Sequence, residues 1–270
     1  DRSLQQMVPM PPGRLGKRIL NQVGTSVPNN SANKEFIETL GGNYIIWNNA
    51  DNTVQGGLPN AYGYIGDSLI YFNPVPLEEP ADNGETWAVE SWFRNPTTDL
   101  YGILASKFPR FLGLLEKAGL YDAKRYDFPF LVDGKPYTVF IPSDQAMTDF
   151  QIDTLSTEQL ESLLRFHFLR GEKMFTDNKN SWGNYETLRK DESSTQYTTY
   201  YSTLNIRPGP DLIDILDGSD QLYVSVSEVP GRTNVMAAYD TDPENTEETD
   251  YIITTIVHEI SKVLNPGVLK

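Results

Sequence analysis

The sequence predicts an α+β fold: a mostly antiparallel β-sheet with several helices preceding the strands. Three observations predict it. Between residues 98 and 171 apolar residues recur mainly at helical spacing. From 185 onward they alternate in short runs separated by turn residues, as strands of one antiparallel sheet do. The third is a recurrence. NGETWAVESWF (83–93) and TTIVHEISKVL (254–264) alternate apolar and polar residues alike, and both finish on bulky apolar side chains.

The recurrence extends upstream. With Trp87 set on His258, Val89 meets Ile260, Trp92 meets Val263 and Phe93 meets Leu264. EFIETLGGNYIIW (35–47) then resembles NYETLRKD (184–191), and LNQVGTSVPNN (20–30) resembles FHFLRGEKMFTDN (166–178), which sets Asn21 on His167. Three segments recur in one order, so residues 1–95 read as the C-terminal half of a unit and 96–270 as a complete copy. The two are expected to fold as distinct units joined near 94–99, where Asn95-Pro96 breaks regular structure.

Within the complete copy, Thr98 or Asp99 caps a helix whose apolar stripe is Leu100, Ile103 and Leu104. FPRFLGLLEKAGL (108–120) forms a second helix with Gly119 as its stop. YTVFI (137–141) is β-branched and aromatic and forms a strand, and Ser143 caps a short helix after it. LSTEQLESLLRFHFLRG (155–171) is the clearest helix: Ser156 and Gln159 make a capping box, Leu160, Leu163, Leu164 and His167 share a face, and Gly171 ends it. YTTYYSTLNI, DLIDIL, LYVSV, NVMAAY and YIITTIVHEI follow as strands.

Composition narrows the function classes. The 270 residues carry a net charge of −15, which repels phosphate backbones and argues against nucleic acid as a partner. No apolar run is long enough to span a bilayer, so any membrane attachment is expected through a lipid upstream of Asp1. There is no cysteine, hence no thiol catalysis, zinc–thiolate site or disulfide. Nucleophile elbows, Walker loops and dinucleotide fingerprints are also missing.

The ordered segments resemble the fasciclin domain, a family of extracellular adhesion modules. TVFIPSDQAM (138–147) is similar to its first conserved block, LLRFHFLRG (163–171) to its second, YETL (185–188) to the Thr-Leu pair of the next strand, and TTIVHEISKVL to the closing block. Thr254 and Thr255 stand where the family has its closing turn, so a different bend is expected there; Asn83 and Gly84 keep that turn in the first copy. The resemblance implies adhesion or ligand binding without catalysis or cofactor, outside the cytoplasm or at a cell surface, with a bacterial envelope as the suspected setting. It implies a protein or glycan partner. The alternatives are a carbohydrate-binding or scaffold component of a surface complex and, further off, a hydrolase. In some animal members a Tyr-His pair at the helix end is linked to integrin binding. Here the pair is Phe166-His167 and the phenol is gone.

Five residues stand as candidate partner contacts: Phe166, His167, Tyr197, Tyr200 and Tyr201. Tyr197 and Tyr201 share one face if YTTYY is a strand. The only two histidines, His167 and His258, read either as a catalytic or metal pair or as half-buried rings that bond backbone groups at element ends; the second reading is preferred, with no metal. HEISK (258–262) lacks the second histidine of a zinc protease. DTDPENTEETD (240–250) holds six carboxylates but has Asn245 and Tyr251 where a calcium loop needs Gly and Glu, so a solvated loop is preferred over a calcium site.

Overall fold

The fold is taken from a computed structural model that describes residues 12–50, 53–57, 70–71, 86, 92–217, 223–244 and 250–267. The chain runs α1 (Pro12–Leu20), β1 (Lys34–Glu38), β2 (Tyr44–Asn48), β3 (Thr53–Gly56), β4 (Ile70–Tyr71), α2 (Leu100–Lys107), α3 (Pro109–Lys117), β5 (Tyr137–Pro142), α4 (Asp144–Asp149), α5 (Thr157–Phe166), β6 (Phe168–Arg170), β7 (Gly183–Lys190), β8 (Tyr201–Gly209), β9 (Leu212–Leu216), β10 (Tyr223–Ser227), β11 (Val235–Asp240) and β12 (Tyr251–Ile260). The class is α+β. One sheet has the order β1-β2-β3-β4 and the other β10-β9-β8-β7-β6-β5-β12-β11. Every pairing is antiparallel except that of β5 with β12.

Local chemistry sets the helices. The Asp99 carboxylate caps α2 by accepting the Gly102 N–H. At the end of α3, Gly119 takes a φ of +71° and the N–H groups of Gly119 and Leu120 bond the carbonyls of Glu116 and Leu115, a Schellman closure that favours glycine. Ser156 and Gln159 complete the capping box of α5. Leu160, Leu163 and Leu164 are fully buried, in one cluster with Leu104, Phe111 and Leu115 of α2 and α3.

β5 is buried at every position because it has a layer on each side. Val139 and Ile141 join the helix cluster, while Phe140 joins Ile213, Ile215, Val224, Val226 and Ile260. Those residues come from strands far apart in the sheet order, so the sheet curls over itself and encloses a second core.

Three expectations need correction. The helix over 155–171 ends at Phe166; His167 is its C-cap and 168–170 form β6, because Phe168 and Leu169 feed opposite apolar clusters, as successive strand residues do. YTTYY does not enter the strand as a whole, since β8 begins at Tyr201. The Thr195 hydroxyl instead accepts the N–H groups of Tyr197 and Thr198 and holds a turn. Thr254 and Thr255 lie inside β12, where Thr255 pairs Ala237 and Ile253 pairs Ala238; Thr254 is the extra residue of a bulge. Residues 94–99 carry no helix or strand, as expected of an Asn-Pro step, and are held in place: Asn95 and Pro96 are buried, and the Thr98 carbonyl accepts the Ala238 N–H.

The N-terminal sheet packs directly on the larger one. Phe36, Tyr44 and Ile46 share a core with Phe175, Met236, Ala238, Ile253 and Ile256. The Phe36 and Phe175 rings stack at 4.2 Å. Beneath them Glu35 and Asp177, both buried, flank Lys179 at 3.7 and 3.6 Å. Burial alone would raise the Glu35 carboxyl, but hydrogen bonds from Asn29 and Asn49 and the Lys179 charge hold it below its ordinary value. At Asp177 burial prevails and the carboxyl is raised. Apart from Thr86, the closing segment NGETWAVES lies outside the described residues, as do residues 245–249 of the acidic segment.

Candidate functional site

Both imidazoles are fully buried and bonded at each nitrogen. His167 donates from Nδ1 to the Leu163 carbonyl at 2.9 Å and accepts the Leu264 N–H at Nε2, 3.0 Å away. His258 has the opposite tautomer: Nε2 donates to the Met174 carbonyl at 2.9 Å, and Nδ1 accepts the Asn234 N–H at 3.4 Å. Burial pushes both rings down to about 4, against the opposing pull of the Leu163 carbonyl and Asp217 at His167 and of the Met174 carbonyl at His258. They are neutral cross-ties between backbone segments, with no lone pair left for a metal or a substrate proton. Among the described residues no group of three or more acidic or imidazole side chains is arranged to hold a metal ion.

The N-terminal segment holds a similar tie with a different residue. The Phe93 N–H donates to Gln22 Oε1 at 3.0 Å, just as the Leu264 N–H donates to His167. The helix-end bonds match too: Gln22 to Ile19, and His167 to Leu164. The Gly24–Thr39 bridge matches the Leu169–Thr187 pair of β6 and β7. In these bonds Gln22, not Asn21, matches His167, one residue from the register expected of the sequence. Only three-dimensional hydrogen bonding exposes this, because LNQ and FHF align about equally well in either register.

Of the five candidate contacts, Phe166 and His167 lie at 0% exposure, inside the curled sheet. The three tyrosines sit at the β7–β8 hairpin. Tyr197 is 88% and Tyr200 52% exposed, and Tyr201 is half-buried with the Arg170 guanidinium 4.2 Å above its ring. The hairpin thus presents two aromatic side chains to solvent next to a fixed cation.

The fasciclin domain model matches residues 106–266, more than half of the chain. The chain belongs to the fasciclin domain family. Among solved structures it is similar to a FAS1 domain pair from the insect cell adhesion molecule fasciclin I, with 12% identity, a TM-score of 0.41, and coverage of 87% of this chain and 72% of that one. No curated protein matches the sequence. Fasciclin domains are adhesion-related modules, typically extracellular or surface-associated and without enzymatic activity. Among the described residues of this one, no helix is long and apolar enough to cross a membrane.

Proposed function

We propose that the protein is a non-catalytic adhesion or ligand-binding module that meets a protein or glycan partner at the cell surface, in a bacterial envelope, and that the β7–β8 hairpin contributes Tyr197 and Tyr200 to the contact. The observation that carries the reading is the fasciclin domain match over 106–266. The exposed rings support the hairpin as a contact, since tyrosine offers large area at low entropic cost. Both histidines, held by backbone bonds on either side, support the absence of acid–base chemistry. Beads coated with the protein and passed over purified surface proteins and glycans are expected to be retained. The double variant Tyr197→Ala/Tyr200→Ala should weaken retention about tenfold or more with unchanged circular dichroism. Retention on no ligand, or turnover of ester or glycoside substrates, would sink the reading.

We also propose that 1–95 is the C-terminal half of one fasciclin domain and 96–270 a complete domain. The support is the shared order: a helix, a short bridge, then a meander, as α1–β4 on one side and α5–β10 on the other. In the register set by Gln22, Leu15 and Ile19 correspond to Leu160 and Leu164. The latter are 0% exposed beneath α2 and α3; Leu15 and Ile19 are 41% and 46% exposed.

A further inference from the structure

A second feature lies in the complete domain, away from the hairpin. A cleft of ≈ 160 Å³ opens between the start of α2, the turn over 122–127, the segment 131–137 and the β11–β12 edge. Its walls carry four tyrosines, Tyr101, Tyr126, Tyr137 and Tyr239, and three aspartates, Asp99, Asp127 and Asp133. The rings are braced from the core outward. Tyr121, buried beside Phe128 at 5.1 Å, stacks on Tyr101 at 5.5 Å, and Tyr101 meets the edge of Tyr126 at 5.2 Å. Tyr126 is 63% exposed, so its ring is not held there by burial in the core.

Its backbone sharpens the point. Tyr126 has a φ of +56°, in a turn closed by the Asp122 N–H on the Asp127 carbonyl. Glycine adopts this conformation without penalty and a bulky L-residue does not. The sequence keeps an aromatic ring at a position where the fold by itself would favour none, and aims that ring over a cleft.

We infer that this cleft binds one neutral pyranose residue of a glycan. The volume is below that of drug-sized sites, so a single ring enters and a long chain does not. A tyrosine face takes the apolar C–H face of a sugar, while the carboxylates accept its hydroxyl protons as charge-assisted hydrogen bonds. Asp99 and Asp127 are already oriented for this, because one oxygen of each is fixed by a backbone N–H, of Gly102 and of Phe128. A purely apolar ligand would desolvate the carboxylates without pairing them. Three aspartates against Lys135 disfavour uronic or sulfated sugars.

The test uses the purified chain with methyl glucoside, methyl galactoside and N-acetylglucosamine at millimolar concentration, read by saturation-transfer NMR. At least one sugar should receive saturation through its ring protons. Tyr126→Gly should weaken binding about tenfold or more while the thermal midpoint holds or rises, because glycine relieves the left-handed backbone. Tyr126→Phe keeps the ring and should keep binding; Asp127→Asn should weaken it. No transfer to any of the three sugars, undiminished binding in Tyr126→Gly, or preference for arginine methyl ester over every sugar would overturn the assignment. The cleft shares no residue with the Tyr197 and Tyr200 hairpin, so either proposal can fail without the other.

Discussion

At Gln22 and His167 two unlike side chains accept equivalent backbone N–H groups, from Phe93 and Leu264. What the position requires is an acceptor of the right reach, not an imidazole. His167→Gln is therefore expected to keep the fold at a cost near 1 kcal/mol, whereas His167→Leu orphans the Leu264 N–H and costs on the order of 1–3 kcal/mol more. Denaturant midpoints would check the pair; equal losses would mean that the ring acts by volume alone. The pH dependence follows from the depressed pKa values of His167 and His258, about 4 in the folded chain. Unfolded imidazoles titrate near 6.5. Between these values the unfolded chain binds protons that the folded chain refuses. Stability contributed by the neutral rings is thus intact above about pH 6.5, falls as pH drops through the window, and levels off below about 4. Each ring accounts for about 3 kcal/mol of that fall. Chemical denaturation across pH 4 to 7 measures it, and His167→Gln should remove the part due to one ring.

Among the elements, α1 and α5 have opposite surroundings. Leu163→Ala or Leu164→Ala empties space in a core closed by α2 and α3 and is expected to cost about 2–5 kcal/mol. Leu15→Ala and Ile19→Ala, on a helix with no buried residue, should each cost less than about 0.5 kcal/mol. Comparable losses in the two helices, measured by urea unfolding, would show that the α1 face is covered in solution. Most of α5 was legible in the sequence, because its capping box and leucine stripe are local patterns. Its end was not. Phe166, His167, Phe168 and Leu169 are apolar or aromatic whether the helix continues or a strand begins, and the contacts with β5 and β7 decide for the strand.

For the whole molecule, the seam between the two sheets governs how the chain unfolds. Phe36, Tyr44 and Ile46 complete a core whose other side belongs to β11 and β12. Ion pairs cross the same seam: Lys17 with Asp250, Lys34 with Glu228 and Lys173 with Glu38. A shared apolar core couples its two sides, so calorimetry is expected to show one transition for the two sheets. Phe36→Ala should lower that single midpoint by the equivalent of about 3–5 kcal/mol, although Phe36 lies in the N-terminal sheet. Two resolved transitions, with only the first moved by Phe36→Ala, would refute the coupling.

The recurrence of segments was readable by eye, since ETL recurs at 38–40 and 186–188 and the two closing segments alternate alike. So were the capped starts of α2, α4 and α5 and the class of the fold, because caps and periodicity act within a few residues of chain. The tertiary structure decided what depends on residues distant in sequence. It paired β5 in parallel with β12 across more than a hundred residues, buried Phe166 and His167 under a curled sheet, and left Tyr197 and Tyr200 in water. It also joined the two sheets through Phe36 and Phe175, on either side of an Asn-Pro step that breaks regular structure. The physical reason is common to these cases. A sequence pattern states which side chains seek burial, but what buries them is set by the closing of long loops around a core, and that is a property of the folded chain alone.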